Sequence, residues 1–202
     1  MLAVCVLAAL LVLLLSRTDP KLRIAIFYRW HVHALTMPVT GVRPGDVRDS
    51  WHEGREGGGH HQHEGVDLLA PRGTAVVAAA AGRIWSVGRN SLGGNSISVV
   101  GDGWRLYYYA HLDTFAPNLR AGDTVSAGDV LGGVGNSGDA EGGPTHLHFG
   151  ITELSLFGER PVDPAPLLAD ALVQPARPIL GGVKDPPPNP LHSGGREDYT
   201  MP

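Results

Sequence analysis

The chain has 202 residues, of which 43 % are hydrophobic and 18 % charged, with a formal net charge of -4. That composition supplies one apolar core plus extensions and excludes wholesale disorder. The acidic balance, with no clustered Lys and Arg, excludes nucleic acid as the main partner. The single cysteine, Cys5, excludes an internal disulfide and a Cys-rich metal knuckle. Glycine, at 28 residues, is roughly twice its average usage and shows no Gly-X-Y period. It predicts many tight turns between short strands.

Residues 2–15, LAVCVLAALLVLLL, are unbroken apolar sequence. The run is shorter than the roughly 20 residues that span a bilayer, so it reads as the h-region of an export signal or as a short membrane anchor within residues 1–16. Arg17, Lys21, Arg23 and Arg29 follow it, a bias that opposes export under the positive-inside rule. Residues 17–45 read as a Pro-containing connector with a first strand over 34–42. From 46 to 163 the pattern is all-β: GVDLLAP, TAVVAAAAGRIWSVG, NSISVVG, WRLYYYAHL, DTVSAGDVLGGVG and THLHFGITE are separated by Gly, Asn and Asp turns. Ala78–Ala81 suits a helix by composition, whereas Gly82 and the neighbouring valines favour a strand. PAPLLADAL, 164–172, predicts one short helix with Pro in its first turn. It closes a domain over 46–172. Residues 173–202 read as a Pro- and Gly-rich disordered tail.

Three clusters carry chemistry. In HHQHEGVD, 60–67, an extended chain from His63 puts His63, Gly65 and Asp67 on one face, so a nitrogen and an oxygen could grip a borderline cation such as zinc. A solvated His-rich turn is the competing reading. In THLHFG, 145–150, His146 and His148 share a strand face while Leu147, Phe149 and Ile151 take the other. Two imidazoles aimed at one space each need a polar partner. In YYYAHL, 107–112, alternation places Tyr107, Tyr109 and His111 together, consistent either with a site or with an aromatic strand ending in a turn.

The order of these clusters, with Ala-Pro-x-Gly-Thr, Gly-Gly-Asn, Ala-Gly-Asp-x-Val and Gly-x-Val-Gly-Asn-Ser-Gly between them, resembles the LytM or lysostaphin-like zinc endopeptidases of peptidase family M23 from about residue 38 to 164. The resemblance implies a small antiparallel, barrel-like β-sheet domain. It implies one zinc bound by His63, Asp67 and His148, with His111 and His146 as catalytic histidines that do not bind the metal. His52, His60 and His61 match no family position. The implied substrate is a peptidoglycan stem or cross-bridge peptide, and the implied location is the cell envelope, periplasmic or otherwise outside the cytoplasmic membrane, with the N-terminal run as a possible membrane tether. A non-catalytic adaptor of another wall hydrolase, or a secreted peptidase acting on other peptides, are the alternatives.

Overall fold

The computed structural model describes Lys21 and residues 34–55, 61–155 and 157–177. The apolar run at 2–15, most of the connector, His60 and the tail beyond 177 lie outside the described residues. Among those described, no helix is long and apolar enough to cross a membrane.

The elements are β1 (Gly54–Arg55), β2 (His61–Gln62), β3 (Val66–Leu69), β4 (Ala75–Val77), β5 (Gly82–Asn90), β6 (Gly94–Gly101), β7 (Arg105–Phe115), β8 (Thr124–Val125), β9 (Val130–Val134), β10 (His146–Ser155), β11 (Gly158–Val162) and α1 (Ala165–Leu168). β1 and β2 form a small ribbon. The other strands make one sheet in the order β11-β10-β7-β6-β5-β8, with β3 on β10, and β9 bridging β7 and β4. Every pairing between these strands is antiparallel. The sheet is open and does not close into a barrel, since β11 and β8 end its main path.

Alternation builds the core. Leu147, Phe149 and Ile151 of β10 are fully buried, as are Tyr107 and Tyr109 of β7 opposite them, with Val66 and Leu68 of β3 beside them. The phenols are satisfied there. Tyr107 donates to the Asp102 carbonyl, and the Tyr109 oxygen accepts the Ala79 amide. Burial pushes the Tyr107 phenol up to about 12 and the Tyr109 phenol up as well.

Several local expectations are revised. Residues 34–42 form two isolated bridges, Thr36 with Leu172 and Val39 with Val76, instead of a strand. Pro38, which has no amide to donate, sits between them. Ala78–Ala81 is neither helix nor strand, with a bend over 79–81, because its backbone is taken by other loops: Ala78 bonds Asp129 and Gly128, and Thr36 donates to Ala79. The C-terminal helix shrinks to four residues, with Leu168 buried. Pairing then continues past residue 173, where the tail was expected to begin. The Arg177 amide donates to Gly128, and the Arg177 carbonyl accepts from Val130.

Candidate metal centre

β3 and β10 position the first part of the site. Asp67 and His148 are direct partners across the antiparallel pair, so their side chains leave the same face of the sheet, opposite Leu68 and Leu147. His63 precedes β3 and is held by a loop: its amide donates to the Glu53 carbonyl, and its own carbonyl accepts from His52. The result is a triangle of donor atoms. His63 Nε2 lies 2.8 Å from His148 Nδ1 and 3.1 Å from Asp67 Oδ1, and the third edge, His148 Nδ1 to Asp67 Oδ1, is 3.2 Å.

The Ser50 carbonyl, 2.8 Å from His63 Nδ1, can only accept, so Nδ1 carries the proton and Nε2 presents its lone pair. A lone pair, a carboxylate oxygen and a second imidazole nitrogen facing one another this closely need a proton or a cation among them. Ligand atoms at ~2.0–2.1 Å from a tetrahedral zinc are separated by about 3.3 Å, so the observed triangle fits that ion with a small expansion. His63, Asp67 and His148 are the group among the described residues whose ligand atoms could jointly hold a metal. Gly65 completes this corner. A Cβ there would lie 2.6 Å from His148 Cε1 and 2.7 Å from the Phe149 carbonyl oxygen. Any side chain would therefore push the imidazole out of place.

The second part comes from β7 and the first residue of β10. His146 Nδ1 donates to the Pro144 carbonyl at 2.9 Å, which turns Nε2 toward Asp67 Oδ1, 3.8 Å away. His111 Nδ1 donates to the Ser137 carbonyl at 2.8 Å, and its Nε2 is 3.8 Å from Asp139 Oδ1. The His111 ring centroid is 4.9 Å from that of His146 and 5.8 Å from that of His148. Burial is the main cause that lowers the His111 pKa to about 4, with the neighbouring His146 and His148 acting in the same direction. His111 is therefore neutral at neutral pH, with its Nε2 lone pair facing the cleft.

His111 reaches the cleft by a route that alternation does not foresee. Tyr107 and Tyr109 face the core, and His111, two residues on, does not follow them. Between β6 and β7, Asn95 pairs with Leu112 and Ile97 with Tyr109, so two steps on one strand oppose three on the other. His111 lies in this bulge with φ of 62°, a left-handed backbone uncommon outside glycine. Its amide is held by the Gly93 carbonyl at 2.7 Å. The extra residue turns the imidazole onto the face that carries His146 and His148.

Ser137 secures that arrangement. Besides offering its carbonyl to His111, its hydroxyl donates to Leu112 and accepts the Asn95 amide. Asn95 Nδ2 donates to the same Leu112 carbonyl. Asn95 and Ser137 sit within the Gly-Gly-Asn and Gly-Asn-Ser-Gly stretches, so their text was visible while their task was not. Ser50 and Pro144 act through carbonyls and leave no side-chain signal. Of the unassigned histidines, His52 is exposed and stacked on Trp51, outside the donor triangle.

Residues 61–164 match the profile of Peptidase family M23. The chain belongs to this family. Its relatives include the L-Ala--D-Glu endopeptidase of Bacillus subtilis, 33 % identical over 67 % of this chain and 43 % of that protein. Glycyl-glycine endopeptidase ALE-1 of Staphylococcus capitis is 38 % identical over 58 % of this chain and 31 % of that protein. The chain thus spans less than half the length of these two curated relatives. Among solved structures, the catalytic domain of the antimicrobial peptidase lysostaphin from Staphylococcus simulans superposes with a TM-score of 0.51 and 30 % identity, over 60 % of this chain and 90 % of that one.

Proposed function

We propose that this M23 protein is a zinc-dependent endopeptidase that hydrolyses peptide bonds in peptidoglycan stem or cross-bridge peptides, with His63, Asp67 and His148 as ligands of one zinc ion and His111 and His146 as catalytic groups. The observation that carries this reading is the convergence of three ligand atoms within 3.2 Å, with two further imidazoles turned toward them. Three protein donors leave a coordination position open, as a catalytic zinc requires. A zinc ion held there supplies a Lewis acid for the scissile carbonyl and for the attacking water.

The chain's own residues do the rest. His63 is locked in the tautomer that ligates, by Ser50. His111 and His146 each spend Nδ1–H on a carbonyl and present Nε2 to the cleft. In that state each can accept a proton, and once protonated each can donate it to a leaving amine or toward a developing oxyanion. The relatives' names, one endopeptidase for an L-Ala–D-Glu bond and one for glycyl-glycine, support the substrate class. A wall-peptide substrate puts the peptidase domain outside the cytoplasmic membrane, with residues 1–16 serving as export signal or membrane anchor.

The test is digestion of purified sacculi with zinc-loaded full-length protein, followed by mass spectrometry of the released muropeptides. New amino and carboxyl ends, lost on chelation and regained with zinc, are expected. A zinc-loaded protein that releases none, yet stimulates a second wall hydrolase, overturns this reading in favour of an adaptor.

A further inference from the structure

Among the described residues, five large hydrophobic side chains are exposed: Leu69, Leu92, Phe157, Leu172 and Val173. Single exposed apolar residues are ordinary on protein surfaces and need no explanation. Leu69 and Leu92 differ from the other three in where they lie. Leu69 is the strand partner of His146 and is two residues from Asp67, so it stands on the cleft face with both; it is 68 % exposed while its neighbour Leu68 is in the core. Leu92, 50 % exposed, belongs to the turn on the opposite flank. The next residue, Gly93, holds the His111 amide, and the Leu92 carbonyl itself accepts the Asp139 amide. The two leucines thus bracket the histidine cluster from β3 on one side and the β5–β6 turn on the other.

We propose that Leu69 and Leu92 determine specificity by covering the alkyl side chains of residues that flank the cleaved bond, so that the enzyme prefers alanine-type residues to glycine at those positions. This rests on the peptidase reading above and narrows it to one class of wall peptide. The spacing agrees with an extended substrate. Three strand separations, β3 to β10, β10 to β7 and β7 to β6, lie between the flanks, roughly 14 Å, about the reach of four extended residues. A peptide crossing the cleft therefore presents side chains to both leucines while its central bond lies over the histidines. Glycine offers nothing to bury against an exposed leucine. Each methyl group covered there favours binding by about fourfold.

The experiment uses zinc-loaded full-length protein and a set of quenched fluorescent pentapeptides: all-glycine, and versions with one L- or D-alanine at each position. At least one alanine peptide should exceed pentaglycine in kcat/KM by about fourfold or more. Leu69→Ser or Leu92→Ser should bring that ratio down toward unity, each acting on a different alanine position. The ratio compares substrates on the same enzyme preparation, so partial misfolding of a variant does not move it. Pentaglycine as the best substrate, or ratios unchanged in both variants, overturns the assignment while leaving the peptidase reading intact. Cleavage of no pentapeptide by protein that digests sacculi overturns this assignment alone, and failure on both overturns the parent reading with it.

Discussion

On the β3–β10 side of the cleft, Asp67 and His148 are direct partners across two regular antiparallel strands, and simple alternation delivers both side chains to one face. On the β7 side, His111 sits in a bulge, with a left-handed backbone and with its ring and amide held by loops from two other places in the chain. The first arrangement sets two of the three atoms of the donor triangle, and the loop before β3 brings the third from His63. The second surrounds His111 with hydrogen bonds that fix its orientation while leaving Nε2 turned to the cleft. Strand register places Asp67, His146 and His148, and loop packing places His63 and His111.

The largest effect should separate the two sides by metal content. His63→Ala removes one of three donors, so zinc per chain, measured by elemental analysis after dialysis, should fall toward zero and turnover with it. His111→Ala should keep about one zinc per chain while turnover drops ~10² to 10⁴-fold, as for a lost acid–base group. Metal loss in His111→Ala with retention in His63→Ala would reverse the roles.

A sharper form disturbs the supports and spares the five residues themselves. Gly65→Ala drives a methyl group into the His148 ring and should weaken zinc binding by ~10–100-fold, the range for losing a group that orients a ligand. Ser137→Ala removes the hydroxyl bonds to Leu112 and Asn95. It should leave zinc affinity near wild type and lower kcat, with Ser137→Thr restoring it. Competition with a chromogenic chelator, run beside steady-state kinetics, distinguishes the two. Equal loss of zinc in both variants would break the distinction.

The smallest effect concerns pH and the metal-free protein. The folded-state pKa of His111, about 4, lies below its unfolded value of about 6.5, so the unfolded chain binds the proton more readily. The contribution of this group to stability is complete above about pH 6.5 and is lost progressively as pH falls toward about 4. Urea unfolding of metal-free wild type and His111→Gln between pH 7.5 and 4.5 should show a shallower decline in the variant. Identical slopes would mean that His111 is not desolvated.

Much of this was legible in the sequence. The Val66–Leu69 and His146–Ser155 strands, the inward Leu147, Phe149 and Ile151, and the shared face of His146 and His148 all follow from a period of two, which survives wherever one face of a strand is buried. The motif text around His63, Asp67 and His148 pointed to one family and one set of ligands. Alternation failed at His111, which it placed with Tyr107 and Tyr109, because a bulge adds a residue that no local pattern records. It failed again at Ala78–Ala81, where backbone bonds to distant loops decide between conformations that small side chains permit equally.

By itself, then, the chain determined the long strands of the sheet and the family, and it singled out five polar residues, since these depend on side-chain type, motif text and local period. Only the tertiary structure decided that His111 leaves the tyrosine face, that Ser50, Pro144 and Ser137 choose the tautomers of three histidines, and that Leu69 and Leu92 flank the same cleft. Those outcomes depend on backbone carbonyls and strand register: Ser137 reaches His111 from 26 positions away, and even the Pro144 carbonyl, two residues from His146, acts through backbone that carries no side-chain signal.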